Sequence, residues 1–219
     1  MITDRRAAEL CAALYQLPLS GPGPFDVVDN GDDGGVCRAL AREGDTDVIV
    51  LRGSVTGLDW LRDVFALPYT SRRMGPVHHG FYLGMQNVWD DMKILLRPDA
   101  PVVITGHSLG AARAAILTGM MVEAGRPPAA RIVFGEPKPG YAQLADFIKS
   151  VPARSYRAGD GAANHDIVTD QALPIPGLHY VHPTPLTLLQ CIPDPNDQSG
   201  PFVFHHMNLY LAGVSALKA

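Results

Sequence analysis

The sequence contains little cysteine and little charge. Only 3 of its 219 residues are cysteine, and 18% are charged. Cys11, Cys37 and Cys191 are odd in number and lack the close spacing of metal ligands, which argues against a disulfide framework. The formal net charge is -4, and no basic stripe of the kind that binds nucleic acid is present. The composition therefore predicts neither a disulfide-built scaffold nor a nucleic-acid partner.

A long apolar run is also missing from the first residues. In "MITDRRAAELCAALYQLP" the charged residues Asp4, Arg5, Arg6 and Glu9 interrupt the run, so the pattern predicts neither a signal-peptide core nor a transmembrane segment. The same stretch predicts a first helix with Thr3 as its N-cap. A chain for which neither a disulfide framework nor such a leader is predicted is expected in the cytoplasm by default, with export by a route that needs no N-terminal signal left open.

The remaining composition is that of a globular protein, with 47% hydrophobic residues. The length suits one domain over residues 1–219. Strand-like runs cover 36–41, 46–52, 101–106, 131–135 and 153–159, and helical spacing covers 57–67, 80–96, 108–123, 141–151 and 206–217. A hairpin followed by alternating strands and helices predicts an α/β fold, with a mostly parallel central sheet and helices on both faces.

Polar residues follow several of the predicted strands directly. They are Ser54, Ser108, Glu136 and Asp160. In open α/β sheets the reactive groups gather at the carboxyl ends of the strands. We therefore expect a functional site at this edge of the sheet.

The stretch "VVITGHSLGAARAAIL" carries a serine between two glycines at the junction of a strand and a helix. Gly106, Ser108 and Gly110 give the Gly-x-Ser-x-Gly pattern of a nucleophile elbow, in which the serine hydroxyl stands exposed above the sheet. The amide of Leu109 begins the helix, where free N–H groups favour negative charge. The pattern predicts Ser108 as a nucleophile and the Leu109 amide as an oxyanion donor.

A serine hydroxyl attacks efficiently only when a histidine accepts its proton and a carboxylate orients that histidine. In proteins whose nucleophilic serine lies on such an elbow, the order along the chain is serine, acid, histidine. The acids after a later predicted strand are Asp160, Asp166 and Asp170. The histidines further along are His179, His182, His205 and His206.

Six stretches of the sequence together resemble the fungal-type (class 3) lipase family of α/β-hydrolases. They are "VLRGSVTGLDWLRD", "VHHGFYLG", "VVITGHSLGAARAA", "FGEPKPG", "HDIVT" and "HHMNLYL". They occur in the order of that family and cover the chain from about Val50 to its end. The stretches before Val36 and from Ala172 to Phe202 resemble the family only loosely.

The resemblance implies an α/β-hydrolase fold and assigns the remaining site residues. It places the acid in a short Asp-x-Val stretch, which here begins at Asp166. Asp160 is the alternative, because it stands closer to the end of the predicted strand. It places the histidine just before the last helix, where we expect His205 on the entering loop rather than His206. It also implies that Ser54 supplies the second oxyanion donor.

The resemblance further implies a lid over the site. In the family a lid helix occupies the position of residues 58–74, a stretch that is amphipathic in this sequence. Its apolar side would be formed by Trp60, Leu61, Val64, Phe65 and Leu67. An ordinary surface helix packed on the core is the alternative interpretation.

The implied activity is that of a serine carboxylic-ester hydrolase, a lipase or esterase that works through an acyl-enzyme and needs no cofactor. We expect an ester or lipid substrate, transient contact with a lipid interface and no metal, since the histidine pairs lack ligand-like spacing. The alternatives are an acyltransferase or phospholipase with the same triad, and a non-catalytic hydrolase-like binding domain. The sequence predicts no particular oligomeric state.

Overall fold

A computed structural model of the chain describes residues 2–17, 23–31, 35–54, 67–161, 164–171 and 179–217. The strands are β1 (Val27–Asp29), β2 (Arg38–Glu43), β3 (Thr46–Leu51), β4 (Pro68–Ser71), β5 (Gly75–His78), β6 (Val102–His107), β7 (Ala130–Phe134), β8 (Ala153–Gly159) and β9 (Leu186–Gln190). The helices are α1 (Asp4–Leu14), α2 (His79–Tyr82), α3 (Met85–Leu95), α4 (Leu109–Glu123), α5 (Ala142–Ile148) and α6 (Met207–Ala216). Two 3-10 turns span Ile167–Asp170 and Gly200–His205.

Within these ranges, seven strands form one sheet in the order β1-β2-β3-β6-β7-β8-β9. The pairings of β1 with β2 and of β2 with β3 are antiparallel. The pairings of β3 with β6, β6 with β7, β7 with β8 and β8 with β9 are parallel. This sheet confirms the predicted mostly parallel α/β fold.

The helices cover both faces of this sheet. One buried cluster unites side chains of α3, α4 and α5 with one sheet face, and a second unites α1 and α6 with the other. Every residue of β3, β6 and β7 is buried, which explains why these strands are nearly continuous apolar runs. Because β6, β7 and β8 are parallel, their carboxyl ends lie at the same edge of the sheet.

The first helix forms as predicted. The hydroxyl of Thr3 accepts a hydrogen bond of 3.1 Å from the amide of Arg6, which caps α1. The three cysteines, all inside the described ranges, are buried and form no disulfide.

The prediction of one helix over 80–96 is wrong in one respect. The helical stretch is broken between Tyr82 and Met85, because Gly84 adopts a φ of 80° that a helix does not allow. The short strands β1 and β9 were not predicted, because they lie in loops rich in glycine, proline and aspartate.

The predicted lid segment falls into two parts. Residues 58–66 lie outside the described residues. The prediction of an amphipathic helix is wrong for the second part, where Pro68–Ser71 forms a strand paired with β5. Pro68 disfavours a helical conformation at Leu67, and Tyr69 and Thr70 suit a strand.

Candidate active site

Ser108 occupies a strained turn between β6 and α4. Its φ of 59° and ψ of -130° lie outside the usual regions, and it is the one non-glycine residue with positive φ in the described ranges. A Cβ on Gly110 would lie 2.1 Å from the carbonyl oxygen of Leu51, and one on Gly106 would lie 2.5 Å from that of Gly110. Gly110 therefore allows α4 to approach β3 closely, Gly106 allows it to approach β6, and together they form the predicted elbow.

His205 and Asp166 complete a chain of hydrogen bonds that begins at Ser108. The Nε2 atom of His205 lies 2.7 Å from the Ser108 Oγ, and its Nδ1 lies 2.7 Å from Asp166 Oδ2. With the neutral imidazole protonated on Nδ1, the serine hydroxyl donates to Nε2, and Nδ1–H donates to the carboxylate. The exposed fractions of Ser108, His205 and Asp166 are 3%, 7% and 0%, so these bonds are shielded from bulk water.

Asp166 reaches the histidine because the chain turns back after β8. Its amide donates to the carbonyl of Ala158 at 2.9 Å, and its Oδ1 accepts from the amide of Val168 at 2.9 Å. Asp160 instead accepts hydrogen bonds from the amide and the side chain of Asn164, which closes a local turn. Of these two acids, the structure brings Asp166 to the histidine.

The third acid candidate, Asp170, lies at the end of the same 3-10 turn and has other partners. Its carboxylate pairs with Arg157 at 2.6 Å and with His165 at 2.8 Å. Partial burial raises the pKa of Asp170, but the hydrogen bonds from His165 and Arg157 and the positive charge of Arg157 outweigh it, so the pKa is lowered. Asp170 therefore stabilises the turn that carries Asp166.

The adjacent histidines point in different directions. His205 is the last residue of its 3-10 turn, and α6 begins two residues later. The Nε2 atom of His206 lies 3.1 Å from Asp197 Oδ2 and 2.9 Å from Ser199 Oγ, and 46% of its side chain is exposed. Of the other two, His179 packs against the ring of Tyr141, and His182 donates to the carbonyl of Thr169. Of the four candidates, the structure brings His205 to Ser108.

Tyr210, on α6, is a site residue to which the sequence motifs assigned no role. Its hydroxyl donates a hydrogen bond to Asp166 Oδ2. Burial and the neighbouring carboxylate raise the pKa of Tyr210 well above its ordinary value, so it remains a donor. A buried tyrosine hydroxyl usually has a polar partner, which is the signal that could have found this contact.

The segment of Gly53 and Ser54 runs alongside the nucleophile. A Cβ on Gly53 would lie 2.8 Å from the Cβ of Ser108 and 2.9 Å from the carbonyl oxygen of His107. Leu109 is the first residue of α4, so its amide is among those without a partner inside the helix. Both predicted oxyanion residues therefore belong to segments that adjoin Ser108.

Glu136 also follows a strand, as predicted, but it takes part in a separate buried cluster. Its carboxylate pairs with Arg131 and accepts a hydrogen bond of 3.1 Å from the hydroxyl of Ser155. Burial raises the pKa of Glu136, and Arg131 opposes that effect. These partners give Glu136 a structural role in joining β7 to β8.

Across the described ranges, no group of three or more histidine, cysteine, aspartate or glutamate side chains is arranged to hold a metal ion. The helices in this part of the chain are all too short or too polar to cross a membrane.

Comparison with known proteins gives a family and a set of similar structures. Residues 48–174 match the model of the family described as lipase (class 3). A lipase from Rhizopus microsporus var. chinensis is 17% identical, with a TM-score of 0.68 over 94% of this chain and 83% of that chain. The triacylglyceride lipase of Rhizomucor miehei is 18% identical, with a TM-score of 0.64 over 85% and 78%. A triacylglycerol lipase whose catalytic centre is a serine protease triad is 26% identical, with a TM-score of 0.51 over 63% and 56%.

Proposed function

Since the chain belongs to the class 3 lipase family, and with it to the carboxylic-ester hydrolases, we propose that Ser108, His205 and Asp166 are its catalytic triad. The observation that carries the proposal is the unbroken series of hydrogen bonds from the Ser108 hydroxyl through His205 to Asp166. The strained backbone at Ser108 supports it, because such strain is concentrated at functional sites.

In the first half of the reaction, the Ser108 Oγ attacks the carbonyl carbon of the ester. Its proton passes to Nε2 of His205, and the carbonyl oxygen becomes an oxyanion. Asp166 stabilises the imidazolium and holds the ring in place through Nδ1–H. When the intermediate collapses, the bond to the alcohol breaks, the proton on Nε2 protonates the leaving oxygen, and an acyl-serine remains.

The second half releases the acid. Water gives a proton to Nε2 of His205 and attacks the acyl carbon, which produces a second oxyanion. The bond to Ser108 Oγ then breaks, and the proton on Nε2 returns to that oxygen. The products are one alcohol and one carboxylic acid, and no cofactor enters the balance.

The oxyanion needs donors that are in place before the reaction. We propose that the amide of Leu109 and the amide or hydroxyl of Ser54 provide them. Removal of one such donor typically lowers kcat by about 10²–10³. The close approach of Gly53 to Ser108 supports this assignment, because it brings the amide of the next residue toward the nucleophile.

The experiment that tests the triad replaces the nucleophile. Ser108→Ala is expected to lower p-nitrophenyl ester hydrolysis at least about 10³-fold, since the remaining groups cannot form the acyl-enzyme. The matched control is Ser215→Ala, which removes an exposed hydroxyl bonded to the carbonyl of Leu211. It is expected to keep full activity.

A fluorophosphonate probe provides a second readout. It is expected to label Ser108 in the wild-type chain and in the Ser215→Ala variant, with the modified peptide identified by mass spectrometry. Retained turnover in Ser108→Ala, or a folded wild-type chain that does not react, would contradict the proposal. The rates with esters from acetate to palmitate then define the acyl preference, and an added alcohol acceptor measures acyl transfer.

A further inference from the structure

Tyr15 lies near the N-terminus of the chain, where it follows the last residue of α1, and it contacts the site. Its hydroxyl accepts a hydrogen bond of 3.1 Å from the amide of Gly53 and lies 2.8 Å from Nδ1 of His107. The Nε2 atom of His107 lies 2.9 Å from the carbonyl oxygen of His205. The rings of His107 and His205 stack with their centroids 4.7 Å apart. One series of hydrogen bonds therefore joins the amide of Gly53 to the backbone of His205 through Tyr15 and His107.

The direction of each bond in this series follows from the chemistry of its groups. A carbonyl oxygen only accepts, so Nε2 of His107 carries a proton, and this N–H donates a hydrogen bond to the backbone carbonyl oxygen of His205. Burial lowers the pKa of His107 well below its ordinary value, so the ring is neutral and Nδ1 is an acceptor. The hydroxyl of Tyr15 donates to Nδ1, and its oxygen remains free to accept from Gly53.

We propose that Tyr15 is a positioning residue, which fixes the segment of Gly53 and Ser54 for oxyanion binding and, through His107, fixes the backbone of His205. This inference rests on the proposed function of the triad. Position 53 has no room for a side chain between Tyr15 and Ser108. A Cβ on Gly53 would lie 2.5 Å from the Tyr15 hydroxyl and 2.8 Å from the Cβ of Ser108.

The arrangement serves the chemistry in two ways. A displacement of about 1 Å in a catalytic group can cost about 10²-fold in rate, so an amide that is held before the substrate arrives preserves the oxyanion site. The stacked ring also matters, because His205 becomes positively charged during the reaction. A neutral His107 accommodates that charge at 4.7 Å, whereas a charged one would repel it.

The test is Tyr15→Phe, which keeps the ring and removes the hydroxyl. We expect kcat on a water-soluble p-nitrophenyl ester to fall about 10- to 100-fold with KM changed less than about threefold, because the lost positioning acts on the transition state. Rates are normalised to the number of sites that a fluorophosphonate titrates. The matched control is Tyr156→Phe, which removes a hydroxyl bonded at 2.6 Å to Asp4 on the same helix. This control is expected to keep the wild-type kcat.

A readout specific to the oxyanion comes from a trifluoromethyl ketone, to whose carbonyl carbon the Ser108 Oγ adds to give a bound oxyanion. Its inhibition constant is expected to rise in Tyr15→Phe by the same factor by which kcat falls. A merely structural role would reduce the titrated fraction of active sites and leave the inhibition constant unchanged. Values of kcat and of the inhibition constant within twofold of wild type would overturn the inference.

A double variant tests whether the two side chains act as one unit. His107→Phe keeps a ring beside His205 but loses both hydrogen bonds. If Tyr15 acts partly through His107, the loss in the double variant is smaller than the product of the two single losses. Multiplicative losses would overturn the part of the inference that concerns His107.

Failure of this inference is distinguishable from failure of the proposed function. If Ser108→Ala is inactive while Tyr15→Phe is unimpaired, the triad stands and the positioning role is refuted. If the wild-type chain neither hydrolyses esters nor reacts with the fluorophosphonate, both proposals are refuted together.

Discussion

Both carboxylate oxygens of Asp166 are occupied. Oδ2 accepts hydrogen bonds from His205 and Tyr210, and Oδ1 accepts one from the amide of Val168. A carboxylate held at both oxygens cannot rotate without breaking a bond in a buried site. The orientation of His205 is therefore fixed before an ester binds, and Tyr210 is part of what fixes it.

Replacement of Tyr210 by phenylalanine tests this contribution. We expect kcat to fall about 3- to 30-fold and the free energy of unfolding to fall by about 1–3 kcal/mol, because a buried, charge-assisted hydrogen bond is lost. Steady-state kinetics and urea denaturation provide the two measurements. Tyr156→Phe is again the control, since its hydroxyl bonds the partly exposed Asp4. Equal kcat in both variants would show that Asp166 is held well enough without Tyr210.

The sequence was sufficient to nominate Ser108, Asp166 and His205, because the elbow is local and the family resemblance marks the other two. It was not sufficient to find the contacts of Tyr15 and Tyr210. The hydroxyl of Tyr15 meets His107 across 92 positions of sequence, and that of Tyr210 meets Asp166 across 44. Such pairings depend on how α1 and α6 pack on the sheet, which no local pattern encodes.

Among the strands, burial decided what could be predicted. The central strands β3, β6 and β7 are buried throughout and appear in the sequence as continuous apolar runs. The edge strands β1 and β9 each expose part of their length, and they lie in loops rich in proline or glycine. The periodicity that identifies a strand is too short there to be recognised. The edges of the sheet therefore had to come from the structure.

The closeness of α4 to β3 gives a prediction for Gly110. In Gly110→Ala the new Cβ would lie 2.1 Å from a backbone oxygen of β3, which a side-chain rotation cannot relieve. We expect a loss of about 1–3 kcal/mol or more in the free energy of unfolding, together with reduced activity, because α4 carries the Leu109 amide. Gly35→Ala is the control, since its Cβ would lie 3.4 Å from its nearest neighbour. Similar urea midpoints for the two variants would refute this account of the elbow.

The two faces of the sheet support different parts of the site. The face with α3, α4 and α5 buries the helix that follows the nucleophile. On the other face α1 packs against α6, so the helix that carries Tyr15 lies beside the helix that carries Tyr210. The bonds of Tyr15 and Tyr210 to the site depend on this packing. Mutations between α1 and α6 are therefore expected to affect activity as well as stability.

Buried neutral histidines make the stability of the whole molecule depend on pH. Burial lowers the pKa of His78 and of His182 from the ordinary 6.5 to about 4, and the pKa of His107 also lies well below 6.5. Below pH 6.5 these histidines bind protons in the unfolded chain, whereas in the folded chain they remain neutral until the pH approaches their lowered pKa. The stability that these groups contribute is therefore present above pH 6.5 and is lost as the pH falls toward 4.

As the pH is lowered from about 7.5 to about 5, we expect the free energy of unfolding to fall by about 1–2 kcal/mol for each of His78 and His182. His78→Gln is predicted to remove its share of this slope, because glutamine does not titrate. The control is His79→Gln, which replaces the exposed neighbour. Urea denaturation at several pH values measures both slopes. A His78→Gln slope equal to that of wild type would mean that the imidazole is already protonated in the folded chain at about pH 5, contrary to the lowered pKa.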